Sequence, residues 1–392
     1  MTTKKNTAKK LVSIKKSPKK LGHPMKGRDV IVKALENEGV KVIFGYPGGT
    51  SMEIHQGLTL TKKIRMVLPR HEQGGSFAAG GYARSTGEVG VCMATSGPGA
   101  TNLITGIIDA KMDSIPIVAI TGQVASTLLG SDAFQETDIM GATFPLVKHS
   151  YMIQNVEEIP RIVHEAFHIA RSGRPGPVLI DIPKNIQQQE GIADFDVSFD
   201  CPSYKPNLKP SVLQCKKAAH TIQTAKRPII YAGGGIISSG ASEELRAFAK
   251  KTGIPVTTTA MGLGAFPSND PLSLRMLGMH GAVYANIAIN HADLVIAMGV
   301  RFDDRVTGKL AEFCKNAQFI QIDIDPTEIN KNITIDVPIQ GDVKQALKIL
   351  TGYVEPKKDI KPWVKQVNEW KKEFPLEFEL KEGEIVPQSV VS

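Results

Sequence analysis

Short apolar runs alternate with amphipathic segments along the first half of the chain. The apolar runs predict buried strands at 40–44, 66–68, 89–94, 117–121 and 178–182. Apolar residues at helical spacing predict helices at 28–38, 51–60, 72–84, 100–110 and 159–170. Strands that are apolar throughout and alternate with helices are typical of a parallel sheet covered on both faces. The pattern therefore predicts an α/β domain over residues 26–184.

The alternation resumes after a polar stretch and predicts a second α/β domain over residues 211–352. Residues 185–210 are rich in Gln, Asp and Pro without apolar periodicity, which is typical of an interdomain linker. The predicted strands of the second domain are 228–232, 256–259, 294–298 and 319–324. Helices are predicted at 243–251 and, beyond the domain, near 363–370. The predicted fold class is α/β, with two doubly wound, mainly parallel-sheet domains.

Positive charge is concentrated at the start of the chain. Nine lysines and no acid occur before Asp29, which accounts for the net charge of +8 and leaves the rest of the chain nearly neutral. A basic segment can bind nucleic acid or an anionic surface. However, no aromatic residue interleaves these lysines. We therefore expect residues 1–25 to be a disordered, solvated tail, and we expect no nucleic-acid partner.

Several classes of protein are disfavoured by what the sequence lacks. No apolar run approaches the ~18 residues that span a bilayer, so we expect no membrane partner. The 4 cysteines are far apart and form no C-x-x-C pair, which argues against a disulfide framework and a zinc site. The basic tail lacks the apolar core of a secretion signal and the arginines of a mitochondrial presequence. We expect a cytoplasmic protein, or a plastid one if the source is a plant or an alga.

Two glycine-rich loops follow predicted strands of the first domain. They are Gly45-Tyr46-Pro47-Gly48-Gly49 and Ser96-Gly97-Pro98-Gly99-Ala100-Thr101-Asn102. Ligands of open parallel sheets collect at the carboxyl ends of the strands, where helix N-termini also point. Neither loop continues into Gly-Lys-Ser/Thr, so a Walker-type phosphate loop is excluded. The two loops are either ligand-binding turns or plain strand-to-helix turns, and their glycine content does not separate these alternatives.

Glu72 stands at the junction of a predicted strand and a predicted helix, between those two loops. A carboxylate at a helix start is ordinarily a cap or a partner of the helix dipole. The small residues after it leave a bare helix surface, which another backbone or a flat ligand can approach closely. They are Gly74, Gly75, Ala78, Ala79, Gly80 and Gly81. Glu72 is therefore our candidate for a proton-transferring carboxylate.

Gly233-Gly234-Gly235 follows the first strand of the second domain. Its spacing fails the G-x-G-x-x-G fingerprint because residue 238 is serine, and no acid follows the next strand. Hydride transfer is therefore disfavoured. Three further clusters follow or flank predicted strands, at 277–281, 299–305 and 323–326. Their acids and arginines suit ribose hydroxyls and a pyrophosphate, and surface ion pairing is the alternative.

These phrases together resemble the catalytic subunits of the acetolactate synthase (acetohydroxyacid synthase) family, thiamine-diphosphate enzymes of branched-chain amino-acid synthesis. The resemblance extends from Met25 to about Ser392. Beyond the loops already quoted and Arg70-His71-Glu72-Gln73-Gly74-Gly75, three phrases carry it. They are Asp132-Ala133-Phe134-Gln135-Glu136, Ser172-Gly173-Arg174-Pro175-Gly176-Pro177 and Arg301-Phe302-Asp303-Asp304-Arg305-Val306-Thr307-Gly308. The first and third favour the synthases over other thiamine-diphosphate decarboxylases and carboligases.

The resemblance implies a reaction and roles for individual residues. Glu72 would hydrogen-bond the pyrimidine N1′ of thiamine diphosphate, and Gln135 would bind a substrate oxygen. Two pyruvate molecules would give 2-acetolactate and CO2, and pyruvate with 2-oxobutyrate would give 2-aceto-2-hydroxybutyrate. The family positions around the pyrimidine and the reacting centre also include Tyr46, Pro47, Gly49, Thr95, Pro98 and Asn102.

The family also binds FAD, which is chiefly structural because the reaction has no net redox change. The stretches that match its FAD-binding positions contain Arg174, Gly233, Gly234, Gly235, Met279, His280, Gly281, Arg301, Asp303, Asp323 and Asp325. Positions on the substrate approach are matched by Phe134, Lys184 and Arg305.

Members of the family carry a third domain, in which Gly-Asp-Gly and a later Asn bind Mg²⁺ and the diphosphate. No Gly-Asp-Gly occurs in the 392 residues, so we expect no metal ligand among them and expect residues 353–392 to form a linker and the start of that domain. Active sites in the family lie between two subunits, which implies a homodimer or larger assembly. A small regulatory subunit is a further candidate partner.

Three alternatives for the chain stay open. It is the N-terminal two-thirds of a longer catalytic subunit, a split subunit completed by a diphosphate-binding domain from another polypeptide, or a non-catalytic FAD-binding or regulatory homologue.

Overall fold

The computed structural model describes residues 22–198, 204–377, 383 and 385–387, so most of the predicted basic tail lies outside it. The chain divides into two compact units. The first contains the described residues up to 170 and residues 176–198. The second contains residues 171–175 and the described residues from 204 onward.

The first unit is built on a six-stranded sheet whose strands all run parallel. The strands of the unit, including two outside that sheet, are β1 (Met25–Lys26), β2 (Val42–Gly45), β3 (Arg65–Val67), β4 (Gly90–Ala94), β5 (Ile117–Gln123), β6 (His149–Met152), β7 (Val178–Pro183) and β8 (Glu190–Gly191). Strands β1 and β8 pair antiparallel with each other. The other six lie in the order β3-β2-β4-β5-β7-β6. Strands β4, β5 and β7 are buried along their whole length, as expected of a sheet covered on both faces.

Helices of the first unit follow the strands in alternation. They are α1 (Gly27–Asn37), α2 (Met52–Leu60), α3 (Glu72–Thr86), α4 (Pro98–Asn102), α5 (Ile104–Asp113), α6 (Ile139–Thr143), α7 (Ile159–Arg171) and α8 (Lys184–Gln188). Two neighbouring elements approach α3 closely at glycines of their own. A β-carbon at Gly106 of α5 would lie 2.1 Å from Ser76 Oγ, and one at Gly90 would lie 2.1 Å from the Ala79 carbonyl oxygen. Glycine at both positions lets α5 and β4 approach α3 closely.

The second unit repeats the same architecture with a different sequence. Its strands are β9 (Pro228–Ala232), β10 (Val256–Thr258), β11 (Ser273–Met276), β12 (Leu294–Met298), β13 (Gln318–Asp323) and β14 (Val337–Gln340). They run parallel in the order β11-β10-β9-β12-β13-β14. Its helices are α9 (Val212–Thr224), α10 (Gly234–Ser238), α11 (Ser242–Thr252), α12 (Val283–His291), α13 (Asp304–Thr307), α14 (Val343–Tyr353) and α15 (Lys361–Glu373).

Helix α15 packs on the core of the second unit. Trp363 is buried there, and its Nε1 donates a hydrogen bond to the Pro228 carbonyl oxygen over 2.9 Å. Val367 is buried in the same core, one helical turn further along. The two tryptophans of this helix, Trp363 and Trp370, have ring centroids 5.8 Å apart. The helix therefore contributes to the stability of this unit.

The predicted fold class, two parallel-sheet α/β domains, is confirmed, but some edge strands and several helices, among them α9, α12 and α14, were not predicted. Strands β6, β11 and β14 were not predicted, because an edge strand is covered less and carries polar residues that break the apolar pattern. The helix predicted over 100–110 is divided at Leu103, where the N–H bonds the Ala100 carbonyl in a tighter, three-residue turn. Residues 185–191 of the predicted linker belong to the first unit, in which Lys184–Gln188 form α8 and Glu190–Gly191 form β8.

Candidate functional site

The sheet of the first unit has a topological switch point between β2 and β4. The chain runs from β2 outward to β3 and returns to the opposite side of β2 to form β4. The loops that follow β2 and β4 therefore leave the sheet in opposite directions and open a crevice at its carboxyl edge, where open α/β sheets bind ligands. The two glycine-rich loops predicted from the sequence, 45–49 and 96–102, flank this crevice.

Hydrogen bonds lock the two loops together at their bases. The Thr50 amide donates to Thr95 Oγ1 over 3.1 Å, and the two hydroxyl oxygens lie 2.9 Å apart. The Ser96 amide donates to Thr50 Oγ1 over 2.9 Å. Gly48 is required by this contact, because a β-carbon there would lie 2.5 Å from Thr95 Cβ. Tyr46, Pro47 and Gly49 are exposed on the loop that these bonds hold.

Glu72 is the first residue of α3 and lies next to the loop after β4. Asn102 Nδ2 donates a hydrogen bond to Glu72 Oε2 over 3.1 Å. The other carboxylate oxygen, Oε1, lies 3.4 Å from where a β-carbon at Gly99 would stand. In the part of the chain that the structure describes, Oε1 has no hydrogen-bond partner. The arrangement fixes the carboxylate through one oxygen and leaves the other ready to accept a hydrogen bond from a ligand. We call Glu72, Thr95, Gly99 and Asn102 the Glu72 site.

Gln135 reaches the same loop from the segment that follows β5. A β-carbon at Gly97 would lie 2.8 Å from the Gln135 carbonyl oxygen, and Gly97 itself has φ 59° and ψ −121°, which favours glycine. Gln135 also adopts a left-handed φ of 59°. Its neighbour Phe134 is 87% exposed, and Pro98 is exposed as the first residue of α4. Lys184 is partly exposed at the start of α8, directly after β7. The Gly97 loop thus joins Gln135 to the Glu72 site.

A buried acid lies below this region and was missed by the sequence analysis. Asp181 of β7 is 0% exposed, and both of its carboxylate oxygens accept hydrogen bonds from β5. Burial raises its pKa to about 6, although hydrogen bonds from Thr121 and Gln123 oppose that shift. The signal that could have identified it is a single acid within the otherwise apolar strand Val178–Pro183. Thr50 was missed as well, because its partner Thr95 is distant in sequence.

The second unit has its own switch point, between β9 and β12. Three glycines allow the loops after these strands to touch. A β-carbon at Gly233 would lie 2.1 Å from the Gly299 carbonyl oxygen, and one at Gly235 would lie 2.7 Å from Gly299 Cα. Gly299 also has a left-handed φ of 61°. We call Gly233, Gly235 and Gly299 the glycine crevice. Nearby at the end of β10, buried Thr258 Oγ1 has no hydrogen-bond partner among the described residues.

Acidic residues follow β13, the strand next to β12. Burial raises the pKa of Asp323 to about 6, while its carboxylate accepts a hydrogen bond from the Asp325 amide over 2.9 Å. Arg174 Nη1 donates to Asp325 Oδ2 over 3.0 Å and to Glu328 Oε1 over 2.7 Å. Burial opposes the charge of Arg174, but the hydrogen bonds to Glu328 and Asp325 outweigh it and raise the pKa of the guanidinium. Glu328 was not predicted as part of this cluster.

The two remaining predicted clusters touch each other. The Met279 amide donates to the Arg305 carbonyl oxygen over 2.8 Å, which joins the loop after β11 to the loop after β12. Met279 and His280 are exposed, Gly281 and Arg301 are partly exposed, and Arg305 is exposed. Asp303 caps the N-terminus of α13, and its Oδ1 accepts a hydrogen bond from the Arg305 amide over 3.0 Å. Gly234 is the first residue of α10, and a β-carbon at this position would lie 3.1 Å from Met261 Cβ.

Two features are absent from the residues that the structure describes. Over those ranges, no helix combines the length and apolar character that a bilayer crossing needs. Within the same ranges, no group of three or more His, Cys, Asp or Glu side chains is placed to hold a metal ion.

Comparison with known proteins identifies both units. Residues 25–142 match the thiamine pyrophosphate enzyme N-terminal TPP binding domain. Residues 215–350 match the thiamine pyrophosphate enzyme central domain. Together the two matches cover more than half of the chain.

Similar full-length proteins come from plants. The chain is 54% identical to acetolactate synthase 3, chloroplastic, of Brassica napus over 375 residues, which cover 94% of the chain and 57% of the relative. It is 54% identical to acetolactate synthase 2, chloroplastic, of Nicotiana tabacum and 52% identical to acetolactate synthase, chloroplastic, of Arabidopsis thaliana, in each case over 94% of the chain and 56% of the relative. The chain thus spans little more than half the length of these relatives. The chain belongs to the thiamine pyrophosphate enzymes and is a homologue of the acetolactate synthases.

Proposed function

We propose that this chain forms the pyrimidine-binding and FAD-binding part of an acetolactate synthase catalytic subunit. Residues 26–184, extended by α8 and β8 to residue 191, would be the pyrimidine-binding domain, and residues 211–352 would be the FAD-binding domain. The observation that carries the proposal is the hydrogen bond from Asn102 Nδ2 to Glu72 Oε2, 3.1 Å long, at the switch point of the first sheet. The identity of 52–54% with acetolactate synthases over 94% of the chain supports it.

The residues of the Glu72 site fit the pyrimidine ring of thiamine diphosphate. Glu72 Oε1, free beside Gly99, would hydrogen-bond the pyrimidine N1′ and exchange a proton with it. Asn102 keeps the carboxylate in place, and Thr95 forms the wall behind Gly99. When bound, thiamine diphosphate supplies the electron sink for decarboxylation of a 2-oxo acid and transfer of its two-carbon unit. Tyr46, Pro47, Gly49 and Pro98 complete the proposed contacts.

The proposed substrates are pyruvate as donor and either pyruvate or 2-oxobutyrate as acceptor. Gln135 would hydrogen-bond a substrate oxygen, because its amide offers both a donor and an acceptor at the Gly97 loop. Phe134, Lys184 and Arg305 are proposed for the substrate approach. In the first unit, the exposed Phe134 ring and the cationic side chain of Lys184 suit a short, anionic 2-oxo acid. Arg305, in the second unit, is exposed and cationic as well.

The second unit fits FAD as a structural cofactor. The glycine crevice lets backbone amides approach a pyrophosphate, and the unpaired Thr258 hydroxyl at the end of β10 offers a hydrogen bond nearby. The side chains proposed to hold the flavin nucleotide are Arg174, Met279, His280, Arg301, Asp303, Asp323 and Asp325, together with Gly234 and Gly281. The Arg174 guanidinium already bonds Asp325 and Glu328, so its proposed part is to orient those acids.

Catalysis would require partners that bring the diphosphate and Mg²⁺. We propose that a diphosphate-binding domain, in the same protein or in another, supplies the metal ligands, and that the working enzyme is a homodimer or larger. A small regulatory subunit is a further proposed partner. The relatives are named chloroplastic, which supports a plastid location if the chain comes from a plant or an alga.

Acetolactate formation from pyruvate tests the proposal. The assay contains thiamine diphosphate, Mg²⁺ and FAD, and compares the 392-residue chain alone with the chain mixed with a separately expressed diphosphate-binding domain. We expect activity in the mixture, and we expect Glu72→Gln to lower turnover about 100-fold or more while FAD stays bound. Glu88→Gln, a change of an exposed acid in the same unit, is the matched control and should leave turnover unchanged.

Other outcomes have distinct meanings. Near-normal turnover of Glu72→Gln would remove the role given to that carboxylate. FAD binding without activity in any mixture would favour the non-catalytic homologue. Activity of the chain alone would show that residues within it hold the diphosphate and the metal.

A further inference from the structure

A buried hydrogen-bond network connects the centre of the first sheet to the segment that carries Gln135. Asp181 of β7 and Thr121 of β5 are direct partners in the parallel register, and both are 0% exposed. Thr121 Oγ1 donates to Asp181 Oδ1 over 2.7 Å, and Gln123 Nε2 donates to Asp181 Oδ2 over 3.0 Å. Both oxygens of the carboxylate are therefore used as acceptors.

The Gln123 side chain also forms hydrogen bonds with the segment 124–138. Its Nε2 also donates to the Thr137 carbonyl oxygen over 2.9 Å. Its Oε1 accepts a hydrogen bond from the Val124 amide over 2.9 Å. Since Val124 and Thr137 lie at opposite ends of the segment, the single buried side chain of Gln123 ties both ends to Asp181.

The segment between those ends has an unfavourable backbone that must be held. Asp132 and Gln135 have φ of 55° and 59°, a left-handed conformation that costs free energy in residues other than glycine. Glu136 supports the turn, because its carboxylate accepts hydrogen bonds from the Gly130 and Ala133 amides. These bonds lower the pKa of Glu136. Hydrogen bonds to Glu136 within the turn and to Gln123 at the ends of the segment therefore hold this backbone in place.

We propose that Asp181 is a positioning residue for substrate recognition: its ionised carboxylate orients Gln123, which fixes the segment 124–138 and with it the backbone of Gln135. The part of this inference that concerns substrate rests on the proposed function. A protonated Asp181 would present a hydroxyl toward the Thr121 hydroxyl or the Gln123 amide N–H, so one of the two bonds would be lost or reversed.

The surroundings of Asp181 make its charge state responsive to pH. It faces the neutral side chains of Thr121 and Gln123 from β5, and Met152 of β6 is its register partner on the other side. Asp138, which caps α6, is the charged group that raises its pKa further. With a pKa of about 6, the carboxylate is ionised and the network complete above that pH. Below it, the segment should loosen.

Hydrogen exchange of the 392-residue chain tests the network without any need for activity. Asp181→Asn keeps the size of the side chain but replaces one of the two acceptor oxygens with an N–H donor. Gln123→Met removes the bonds to Asp181, Val124 and Thr137 while leaving Asp181 in place. We expect either change to lower the protection factors of the Val124, Gly130 and Ala133 amides about tenfold or more at pH 7. The double variant should do no more than either single one.

The matched control is Thr143→Val, which removes another buried hydroxyl of the same unit. That hydroxyl donates only to the carbonyl oxygens of Ile139 and Met140 within α6. Thr143→Val should leave those three amides protected. Wild-type protein below pH 6 should show the lowered protection of Asp181→Asn, whereas that variant should show no further change with pH. Unchanged protection in both Asp181→Asn and Gln123→Met would overturn the proposal.

The reconstituted enzyme of the previous section then tests the link to substrate. Asp181→Asn should raise the KM for pyruvate about tenfold with a smaller effect on kcat and with FAD content unchanged. The KM of wild type for pyruvate should rise below pH 6, whereas the KM of Asp181→Asn should not change with pH in this range. Loss of protection with an unchanged KM would refute the role in recognition. Loss of protection in a chain that forms no acetolactate would support the network and refute the proposed function.

Discussion

Glu72 and Asn102 belong to different helices, and their side chains meet where α3 begins and α4 ends. The 3.1 Å hydrogen bond from Asn102 Nδ2 to Glu72 Oε2 turns the carboxylate toward Gly99. Neither residue could hold this position through its own helix alone, because each is terminal in its element. The carboxylate is thus oriented by a neutral donor, which fixes its direction without neutralising its charge.

Replacing Asn102 should therefore impair catalysis in a graded way. In the reconstituted enzyme, Asn102→Ala leaves Glu72 free to rotate, and we expect kcat to fall about tenfold. Asn102→Asp places a second carboxylate against Glu72, and we expect a larger fall because like charges repel at this distance. Thr101→Ala is the control, since that exposed hydroxyl bonds its own helix. Equal kcat values for wild type and Asn102→Ala would contradict this account.

Gly97→Ala should disturb Gln135 beyond the cost of backbone strain. The alanine β-carbon would lie 2.8 Å from the Gln135 carbonyl oxygen, so the Gln135 segment has to move. Gly87→Ala is a matched control, because Gly87 also has a positive φ, 76°, but no atom stands within 4 Å of its β-carbon position. We expect both variants to lose about 1 kcal/mol or more of stability in urea unfolding. Only Gly97→Ala should raise the KM for pyruvate, and a similar KM for both variants would count against the contact.

FAD retention should depend on the glycine crevice. In Gly299→Ala the new β-carbon would lie 2.6 Å from Gly235 Cα, which forces apart the loops that follow β9 and β12. Gly308→Ala carries a comparable strain at φ 55° with no atom within 4 Å. We expect flavin absorbance per purified chain to fall severalfold in Gly299→Ala and to stay normal in Gly308→Ala. Equal flavin content in both variants would remove the crevice from the FAD site.

Asp323 should make the second unit less stable as the pH rises. Its pKa is about 6 in the folded chain and 3.8 when unperturbed, so between these values the folded state holds a proton that the unfolded state has released. Its contribution to the free energy of unfolding therefore falls as pH rises, by about 1 kcal/mol between pH 5 and pH 7.

Urea unfolding of the FAD-free chain at those two pH values measures this contribution. Wild type should lose about 1 kcal/mol more than Asp323→Asn on going from pH 5 to pH 7. Asp304→Asn, which changes an exposed acid of the same unit, should behave as wild type. An identical pH dependence of wild type and Asp323→Asn would show that burial does not perturb Asp323.

The sequence predicted the central strands because those strands are buried on both faces. Strands β4, β5, β7, β9 and β12 consist almost wholly of apolar residues, and their positions agree with prediction within about two residues. The edge strands β6 and β14 mix polar and apolar residues, and their pairing is decided by the neighbouring strand rather than by their own pattern.

The candidate sites divide in the same way. The placement of the glycine-rich loops and Glu72 at the carboxyl edge of the sheet could be predicted, because that rule needs only the order of elements along the chain. Asp181 could not be assigned, since its donors depend on the register between β5 and β7. The pairing of Arg174 with Glu328 joins residues 154 positions apart, and no local pattern contains it.

The segment 171–175 has a consequence for anyone who cuts this protein into pieces. It belongs to the second unit, although residues of the first unit precede and follow it in the sequence. A fragment that starts after residue 200 would look like a complete domain by length, yet it would lack the Arg174 guanidinium. Glu328, whose side chain is only 4% exposed, would keep Lys331 as its described cationic neighbour. The second unit is thus formed by two separate stretches of sequence, and no single continuous fragment contains it without also containing residues of the first unit.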